Sequence, residues 1–135
     1  MSFIPLEGYE GKFREVACAT TQTIVKGDAL ADNGLGYLAV ATSSTQNVPF
    51  IAWQTVTTTA DGQKVLCLRT EDVIFLADCD AAWSQTDVGT LCDLAAKATV
   101  NPDISSHDVF EIIEGVGVAD TDTQVKGKFR MQADA

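Results

Sequence analysis

The sequence predicts an all-β protein, a single-domain barrel or sandwich of short antiparallel strands with an extended N-terminal arm. Short runs rich in β-branched and aromatic residues recur at intervals of about 8 to 12 residues, turn signals separate them, and no segment has an amphipathic helical repeat. The 135 residues are enough for one hydrophobic core. We expect an arm over residues 1–15 and a β-rich domain over residues 16–135, and we find no internal repeat of fixed length.

The N-terminal segment combines chain-breaking residues with large apolar side chains. Pro5, Gly8 and Gly11 discourage regular structure. A frayed terminus seldom carries so much apolar surface, so the pattern favours a docking arm over simple fraying. The arm's candidate docking residues are Phe3, Ile4, Leu6, Tyr9 and Phe13.

Residues 50–70 form the clearest strand pair in the sequence. Two β-favouring runs flank Asp61-Gly62, a pair that tolerates positive φ, so the segment predicts a β-hairpin with a two-residue loop. That loop would pair Val56 with Cys67, Thr58 with Val65, and Trp53 with Thr70.

The other elements are shorter, and each is bounded by turn residues. The only helical turn that the sequence favours lies within Asp78–Val88, where Ser84 to Asp87 resemble an N-terminal cap. The remaining expectations are two short strands within Arg14–Leu30, a strand in Gly36–Ala41, a buried strand in Asp72–Ala77, a strand in Thr90–Leu94, and a loop over Ala95–Ser106.

A second hairpin closes the chain. Val109–Ala119 and Gln124–Gln132 flank a four-residue loop, and one face of this pair is apolar. On the other face we expect a cationic row opposite Gly117, Gly115 and Ile113. The row is either a solvated face paired with neighbouring acids or a subunit contact. It consists of Lys126, Lys128 and Arg130.

Charge and cysteine usage exclude several classes of protein. The formal net charge of -10 repels nucleic-acid phosphates, so we expect no nucleic-acid partner. The chain has neither a signal-peptide pattern nor an apolar run of membrane-spanning length, so we expect a soluble protein made in a reducing cytoplasm. The four cysteines form no Cys-x-x-Cys pair and are expected to be buried, reduced thiols: Cys18, Cys67, Cys79 and Cys92.

No motif in the chain carries catalytic chemistry. The single histidine, His107, lies between Ser106 and Asp108, but consecutive residues do not easily form the required line of hydrogen bonds. The acidic residues Asp78, Asp80, Asp87 and Asp93 lack EF-hand spacing, and the glycine pairs complete no phosphate loop. We therefore expect no catalytic, metal or cofactor site and no small-molecule substrate.

The order of these segments resembles that of the small capsid decoration, or cement, proteins of tailed bacteriophages, including the lambda-like head decoration proteins. The resemblance spans about residues 16 to 130. The matching segments are Val25-Lys26-Gly27-Asp28-Ala29, Gly36-Tyr37-Leu38-Ala39-Val40-Ala41, Arg69-Thr70-Glu71-Asp72-Val73-Ile74-Phe75 and Ile113-Glu114-Gly115-Val116-Gly117-Val118-Ala119.

This resemblance implies a β-rich homotrimer on the capsid exterior, bound to the major capsid protein near local three-fold axes, often through an N-terminal arm that joins a capsid strand. It implies a virion protein made in the bacterial cytoplasm. We expect deletion of residues 1–13 to abolish shell binding and leave the fold intact.

Two alternatives are another virion or tail structural protein and a carbohydrate-binding β-sandwich. In the second, Trp53 and Trp83 would stack on sugar rings, although apolar neighbours favour a core position for both.

Overall fold

The structure, a computed structural model, describes residues 3–130. Within this range the chain forms short β-strands and a single 3-10 turn, which are joined by loops. The predicted all-β class is confirmed, and the turn, Gln85–Asp87, lies within the segment expected to hold it. Within the described range, no helix has the length and apolar character needed to cross a membrane. The strands are β1 (Ile4–Glu7), β2 (Phe13–Cys18), β3 (Thr23–Ile24), β4 (Ala29–Asp32), β5 (Leu38–Val40), β6 (Phe50–Ala52), β7 (Val56–Thr57), β8 (Gln63–Arg69), β9 (Ile74–Cys79), β10 (Leu91–Ala96), β11 (Thr99–Asn101), β12 (Phe110–Val116) and β13 (Gln124–Phe129).

Most strands belong to two small rings. The first barrel is closed in the order β2-β5-β4-β6-β8. In the second sheet the order is β1-β9-β11-β10-β12-β13, and an added pairing of β9 with β13 closes its last five strands into a second barrel. Strand β1 therefore lies outside that ring, against β9, and β3 pairs with β7 in a separate two-stranded ribbon.

The two barrels have the same topology and the same register. In each, the first and third strands are parallel and all other neighbours are antiparallel. The Gly27 amide donates to the Ala52 carbonyl at 2.7 Å, and the Gly89 amide donates to the Ile112 carbonyl at 2.7 Å. In the first barrel the facing pairs include Cys18–Leu38, Leu30–Phe50, Phe50–Arg69 and Val16–Val65. The equivalent pairs in the second barrel, in the same order, are Cys79–Val100, Cys92–Phe110, Phe110–Phe129 and Ala77–Val125.

The chain therefore contains an internal structural repeat, which inspection of the sequence for a repeat of fixed length does not reveal. The repeat escapes sequence inspection because few equivalent positions keep their residue. The equivalent positions that carry the same residue in both barrels include Cys18 and Cys79, Phe50 and Phe110, Val65 and Val125, and Gly27 and Gly89. The two glycines share positive φ values of 96° and 87°, which side-chain-bearing residues rarely adopt.

The barrels pack on each other through an apolar outer face of the first. Ala29, Ile51 and Leu68 lie in one cross-strand row outside that barrel and are fully buried in the core cluster that the second barrel dominates. Their equivalents in the second barrel are Leu91, Glu111 and Lys128, which are only partly buried. The interior of the first barrel has a core cluster of its own, and the larger cluster joins the two barrels, in agreement with a single domain.

The central hairpin exists, but its predicted register was wrong. Ala52 rather than Val56 lies opposite Cys67, because the connection between β6 and β8 is much longer than two residues. Val56 and Thr57 leave the hairpin and pair with β3. The predicted turn survives at its far end, where Gly62 has a φ of 86° and Asp61 accepts a hydrogen bond from the Thr20 amide at 2.9 Å.

The closing hairpin is also confirmed with a shifted register. Gly115 lies opposite Val125 rather than Lys128, and β12 has an irregularity between Ile112 and Glu114. The small residue makes room for the Trp83 ring, since a Cβ on Gly115 would lie 2.3 Å from that ring. Glycine in this strand therefore serves packing within the molecule rather than a surface that lacks bulk.

The N-terminal segment is part of the fold, which corrects the expectation of an extended arm. β1 pairs antiparallel with β9, and the Phe3 amide donates to the Gly27 carbonyl of the first barrel at 3.0 Å. The Phe3 side chain is fully buried, with its ring centroid 4.9 Å from that of Phe129, 6.0 Å from that of Phe110 and 6.4 Å from that of Phe75. Phe3 therefore fills one end of the second barrel.

We predict that Phe3→Ala lowers the free energy of unfolding by about 3–5 kcal/mol, because it leaves a cavity among three aromatic rings. Urea denaturation measures this loss. Leu35→Ala, which truncates a side chain that is 79% exposed, serves as the control and should change stability by about 0.5 kcal/mol or less. A Phe3→Ala loss below about 1 kcal/mol would contradict the burial of Phe3. By the same argument, we now predict that deletion of residues 1–13 destabilises the fold instead of leaving it intact.

Candidate docking surface

The outer face of the second barrel carries an exposed apolar surface around β1, which we call the β1 patch. Ile4 and Leu6 are each 38% exposed and Ile113 is 42% exposed. Half-buried side chains extend the surface beneath them. The patch consists of Ile4, Leu6, Ile74, Leu76 and Ile113, and charged groups of Glu7, Glu114 and Lys126 share a shallow depression of about 400 Å³ with it.

Strand pairing places these side chains on one face. Ile4 pairs with Leu76 on β9, Leu76 pairs with Lys126 on β13, and Lys126 pairs with Glu114 on β12. Directly opposite residues of antiparallel strands point to the same side of a sheet, so the four form one row across the outer face. Burial of Phe3 beside them holds β1 against β9, so the patch lies on ordered sheet.

The free edge of β1 is poorly suited to receive another strand. The Asp80 amide donates to the Val100 carbonyl on β11, which lies on the same side of β9 as β1. Because peptide groups along a strand alternate between its two sides, Leu76 also directs its N–H and C=O groups toward β1. Phe75 directs its groups away from β1, so the pair of Phe75 with Pro5 is not hydrogen-bonded. Pro5 therefore costs no bond to β9. Because proline has no backbone N–H, the outer edge of β1 lacks one hydrogen-bond donor, as is typical of sheet edges that are protected against the addition of a strand. The face of β1, rather than its edge, is the surface available for docking.

The five candidate arm residues divide into three groups. Phe3 is in the core, so its predicted role as a docking side chain was wrong. Tyr9 and Phe13 are partly buried and pack against the main core, and the Phe13 ring lies 5.8 Å from that of Trp53. Ile4 and Leu6 remain exposed and belong to the β1 patch.

The cationic row faces acidic residues, not the small residues expected opposite it. Lys126 lies opposite Glu114 with 3.7 Å between Nζ and Oε1, and Lys128 lies opposite Glu111. Arg130 Nη1 lies 3.3 Å from Glu111 Oε1. This arrangement is the cross-strand pairing that the sequence left open as one alternative. The use of Lys126, Lys128 and Arg130 as a subunit contact stays a prediction.

His107 is bonded to Asp93, which lies on β10. The His107 and Asp108 amides donate to Asp93 Oδ1 at 2.6 and 3.0 Å, and His107 Nδ1 lies 3.1 Å from Asp93 Oδ2. Asp108 instead accepts a short hydrogen bond from the Ser105 hydroxyl. The buried Asp93 carboxylate thus holds the loop before β12 in place, which is a structural task.

Two opposing effects act on the pKa of Asp93. Burial raises this pKa, but the hydrogen bonds from the His107 and Asp108 amides and from the His107 ring outweigh burial, so the pKa of Asp93 lies below its ordinary value. The carboxylate is therefore ionised at neutral pH and tied to its donors, which is unlike a general acid.

The acidic residues do not gather into a metal site. Within residues 3–130, no group of three or more His, Cys, Asp or Glu side chains is arranged to hold a metal ion. Asp87 accepts a hydrogen bond from the Ser84 amide at 2.8 Å and caps the 3-10 turn, while Asp93 is engaged with the His107 loop. These carboxylates are used locally.

The cysteines are all buried and free, as predicted. Burial raises the pKa of Cys67, Cys79 and Cys92 to about 12, so these thiols stay protonated at neutral pH.

The two tryptophans lie in different environments. Trp83 is in the core and donates Nε1–H to the Val116 carbonyl at 3.1 Å. Trp53 is half-buried, with Lys26 Nζ 4.3 Å from its ring centroid.

Sequence reasoning missed Ile74, Leu76 and Ile113 as members of the patch. Ile74 and Leu76 were assigned to a buried strand, and the alternation along β9 is the signal that could have placed them on its outer face. Ile113 lies at the irregularity between Ile112 and Glu114, where simple alternation along the strand does not assign a face.

We predict that Asp93→Asn lowers the free energy of unfolding at pH 7 by about 1–3 kcal/mol, because hydrogen bonds to a charged acceptor are lost. Since the folded pKa is depressed, this contribution is complete above the unfolded pKa of about 3.9 and is lost as pH falls through the folded value. Denaturation at pH 7 and pH 3 should therefore show a smaller acid destabilisation in the variant. Asp103→Asn, at an exposed carboxylate in the same loop, is the control. Equal acid destabilisation of wild type and Asp93→Asn would contradict the assignment.

Comparisons of the chain with protein-family models, with curated proteins and with solved structures gave no match.

Proposed function

We propose that this chain is a non-enzymatic decoration protein of a tailed-bacteriophage capsid, which binds the outer surface of the major capsid protein shell and stabilises it. The observation that carries the proposal is the β1 patch, an apolar surface on ordered sheet beside the N-terminus. Exposed apolar side chains that cluster on one sheet face are typical of protein contacts. The second support is that the order of segments in this chain resembles that of the capsid decoration proteins.

The physical mechanism is adhesion by a stiff body. Burial of the β1 patch against a capsid subunit removes apolar area from water, at about 25 cal/mol per Å². A patch of five side chains gives modest affinity for one copy, so a homotrimer near a local three-fold axis gains strength by multivalent attachment. The net charge of -10 keeps free copies soluble until shells are available.

The engagement of the polar side chains favours adhesion over catalysis. Asp93 and His107 are bonded to each other, and the nearest depression, of about 290 Å³, is shallow and open to solvent. A catalytic pair needs a free acid or base aimed into a concave site. The position of Trp83 in the core also weakens the carbohydrate-binding alternative.

A role elsewhere in the virion, such as in the tail, is the second candidate, since an adhesive β-body suits both. The location of added density separates them: a decoration protein adds density at lattice positions on the shell, and a tail protein does not. The protein is made in the bacterial cytoplasm and ends on the capsid exterior under this proposal.

The decisive experiment mixes the purified protein with undecorated, expanded phage shells and images them by electron microscopy. We expect density at the local three-fold positions. Leu6→Asp and Ile113→Asp should each weaken binding at least about tenfold, because contact with the shell would bury an unpaired charge in an apolar surface.

The matched control is Leu35→Asp, which adds the same charge at an exposed leucine outside the patch. It should bind like the wild type, and all variants should keep their melting temperature within a few degrees. Wild-type binding by both patch variants refutes docking through the β1 patch. Absence of wild-type density on the shells refutes the decoration function.

A further inference from the structure

The internal repeat exposes a difference between the two barrels. In the second barrel, β1 adds to β9 along residues 74–76, on the side away from β13. The equivalent stretch of the first barrel is residues 13–15 of β2, because Arg14 pairs with Cys67 as Phe75 pairs with Gly127. On that side β2 has one partner, β5, through Cys18 alone. No strand of the described chain pairs with residues 13–15 there.

The peptide groups of this stretch point outward. The Arg69 amide on β8 donates to the Lys12 carbonyl, so the Lys12 peptide group faces β8. Because peptide groups alternate along an antiparallel strand, Arg14 is also bonded to β8. Phe13 and Glu15, on either side of it, direct their N–H and C=O groups to the free edge. Arg14 Nη1 donates to the Phe13 carbonyl at 2.9 Å, so an added strand would use the Phe13 amide and the Glu15 amide and carbonyl. Glu15 is exposed, and neither residue is a proline, in contrast to Pro5 on β1. A strand edge without proline is the usual acceptor for an added strand.

Within the described residues, the end of the first barrel beside this edge has no counterpart of Phe3. In the second barrel Phe3 packs among Phe75, Phe110 and Phe129, and the equivalent positions in the first barrel hold Arg14, Phe50 and Arg69. Arg14 and Arg69 are exposed and Phe50 is half-buried. An open depression of about 210 Å³ lies at this end, lined by Pro49, Phe50, Arg69, Thr70 and Glu71.

The charge at this end differs from that of the whole chain. Lys12, Arg14 and Arg69 are three of the nine Lys and Arg in a protein with a net charge of -10. Arg69 pairs with Glu71 at 3.1 Å, and Lys12 donates to the Glu71 carbonyl. Arg14 donates to the Gly11 and Phe13 carbonyls and to no carboxylate within residues 3–130. Cations at this position complement an acidic side chain on an incoming strand.

We propose that the free edge of β2 at residues 13–15 is an acceptor site for an extended, acidic segment of another protein, which binds as β1 does in the second barrel. The added strand bonds to the Phe13 amide and to the Glu15 amide and carbonyl. Its inward side chain, at the position equivalent to Phe3, is a carboxylate that meets Arg14 and Arg69 beside the Phe50 ring. This site goes beyond capsid decoration, and it does not depend on the identity of the partner.

The test uses full-length protein and synthetic peptides of residues 1–9, the segment whose β1 portion occupies the equivalent position. One peptide carries Phe3→Glu and the other Phe3→Lys. Nuclear magnetic resonance titration should show amide shifts at residues 13–15 with the glutamate peptide and at least about tenfold weaker binding of the lysine peptide. In Arg69→Glu protein this preference should shrink or reverse.

Glu15→Pro protein removes the Glu15 donor without touching the β8 ladder and should lose binding, while Glu15→Ala should retain it. Arg69→Glu keeps the proposal testable if Glu15→Pro does not fold. Absence of shifts at residues 13–15, equal binding of both peptides, or shifts confined to β1 and β9 would each overturn the proposal. Self-association of the protein alone that Glu15→Pro abolishes would identify a second copy as the occupant and would overturn it too.

Discussion

The burial of Phe3 among Phe75, Phe110 and Phe129 is the contact on which the arrangement of the second barrel depends. A five-stranded ring is too narrow for a cavity and must be filled by its own side chains, including at its ends. Here the end is filled by a residue from outside the ring, which brings β1 onto β9. The apolar side chains of β1 that do not face the core then form part of an exposed patch, so the same contact creates the candidate docking surface.

The two barrels show how side chains assign different tasks to one backbone. Ile51 and Leu68 make the outer face of the first barrel apolar, and that face is buried between the barrels. Glu111 and Lys128 occupy the equivalent positions of the second barrel, and that face remains polar. At the barrel ends the pattern is reversed, because the second barrel has aromatic residues where the first has arginines. The repeat therefore gives one buried interface and two chemically distinct surfaces, one apolar and one cationic.

The polar groups that resembled functional residues in the sequence are engaged in holding loops and strands. Asp93 binds the His107 loop, Asp87 caps the 3-10 turn, and the cations of β13 face glutamates on β12. Each of these uses satisfies a charge or a backbone donor near the protein surface. Within residues 3–130, the β1 patch offers apolar area to a partner and β2 offers a strand edge. These features suit an adhesive protein, and they are the physical basis of the proposals made for the β1 patch and for the free edge of β2.

The sequence by itself determined the all-β class, the single 3-10 turn, the burial of the cysteines and the existence of both hairpins, because alternation, turn residues and β-propensity act over a few neighbouring residues. Only the tertiary structure decided the registers, the internal repeat and the fate of Phe3. Register depends on loop length and on bulges, such as the irregularity after Ile112, that leave little trace in composition. The repeat is held by backbone pairing between strands far apart in the chain, which tolerates almost complete replacement of side chains. Phe3 could not be placed from sequence because its three ring partners come together only when the second barrel closes.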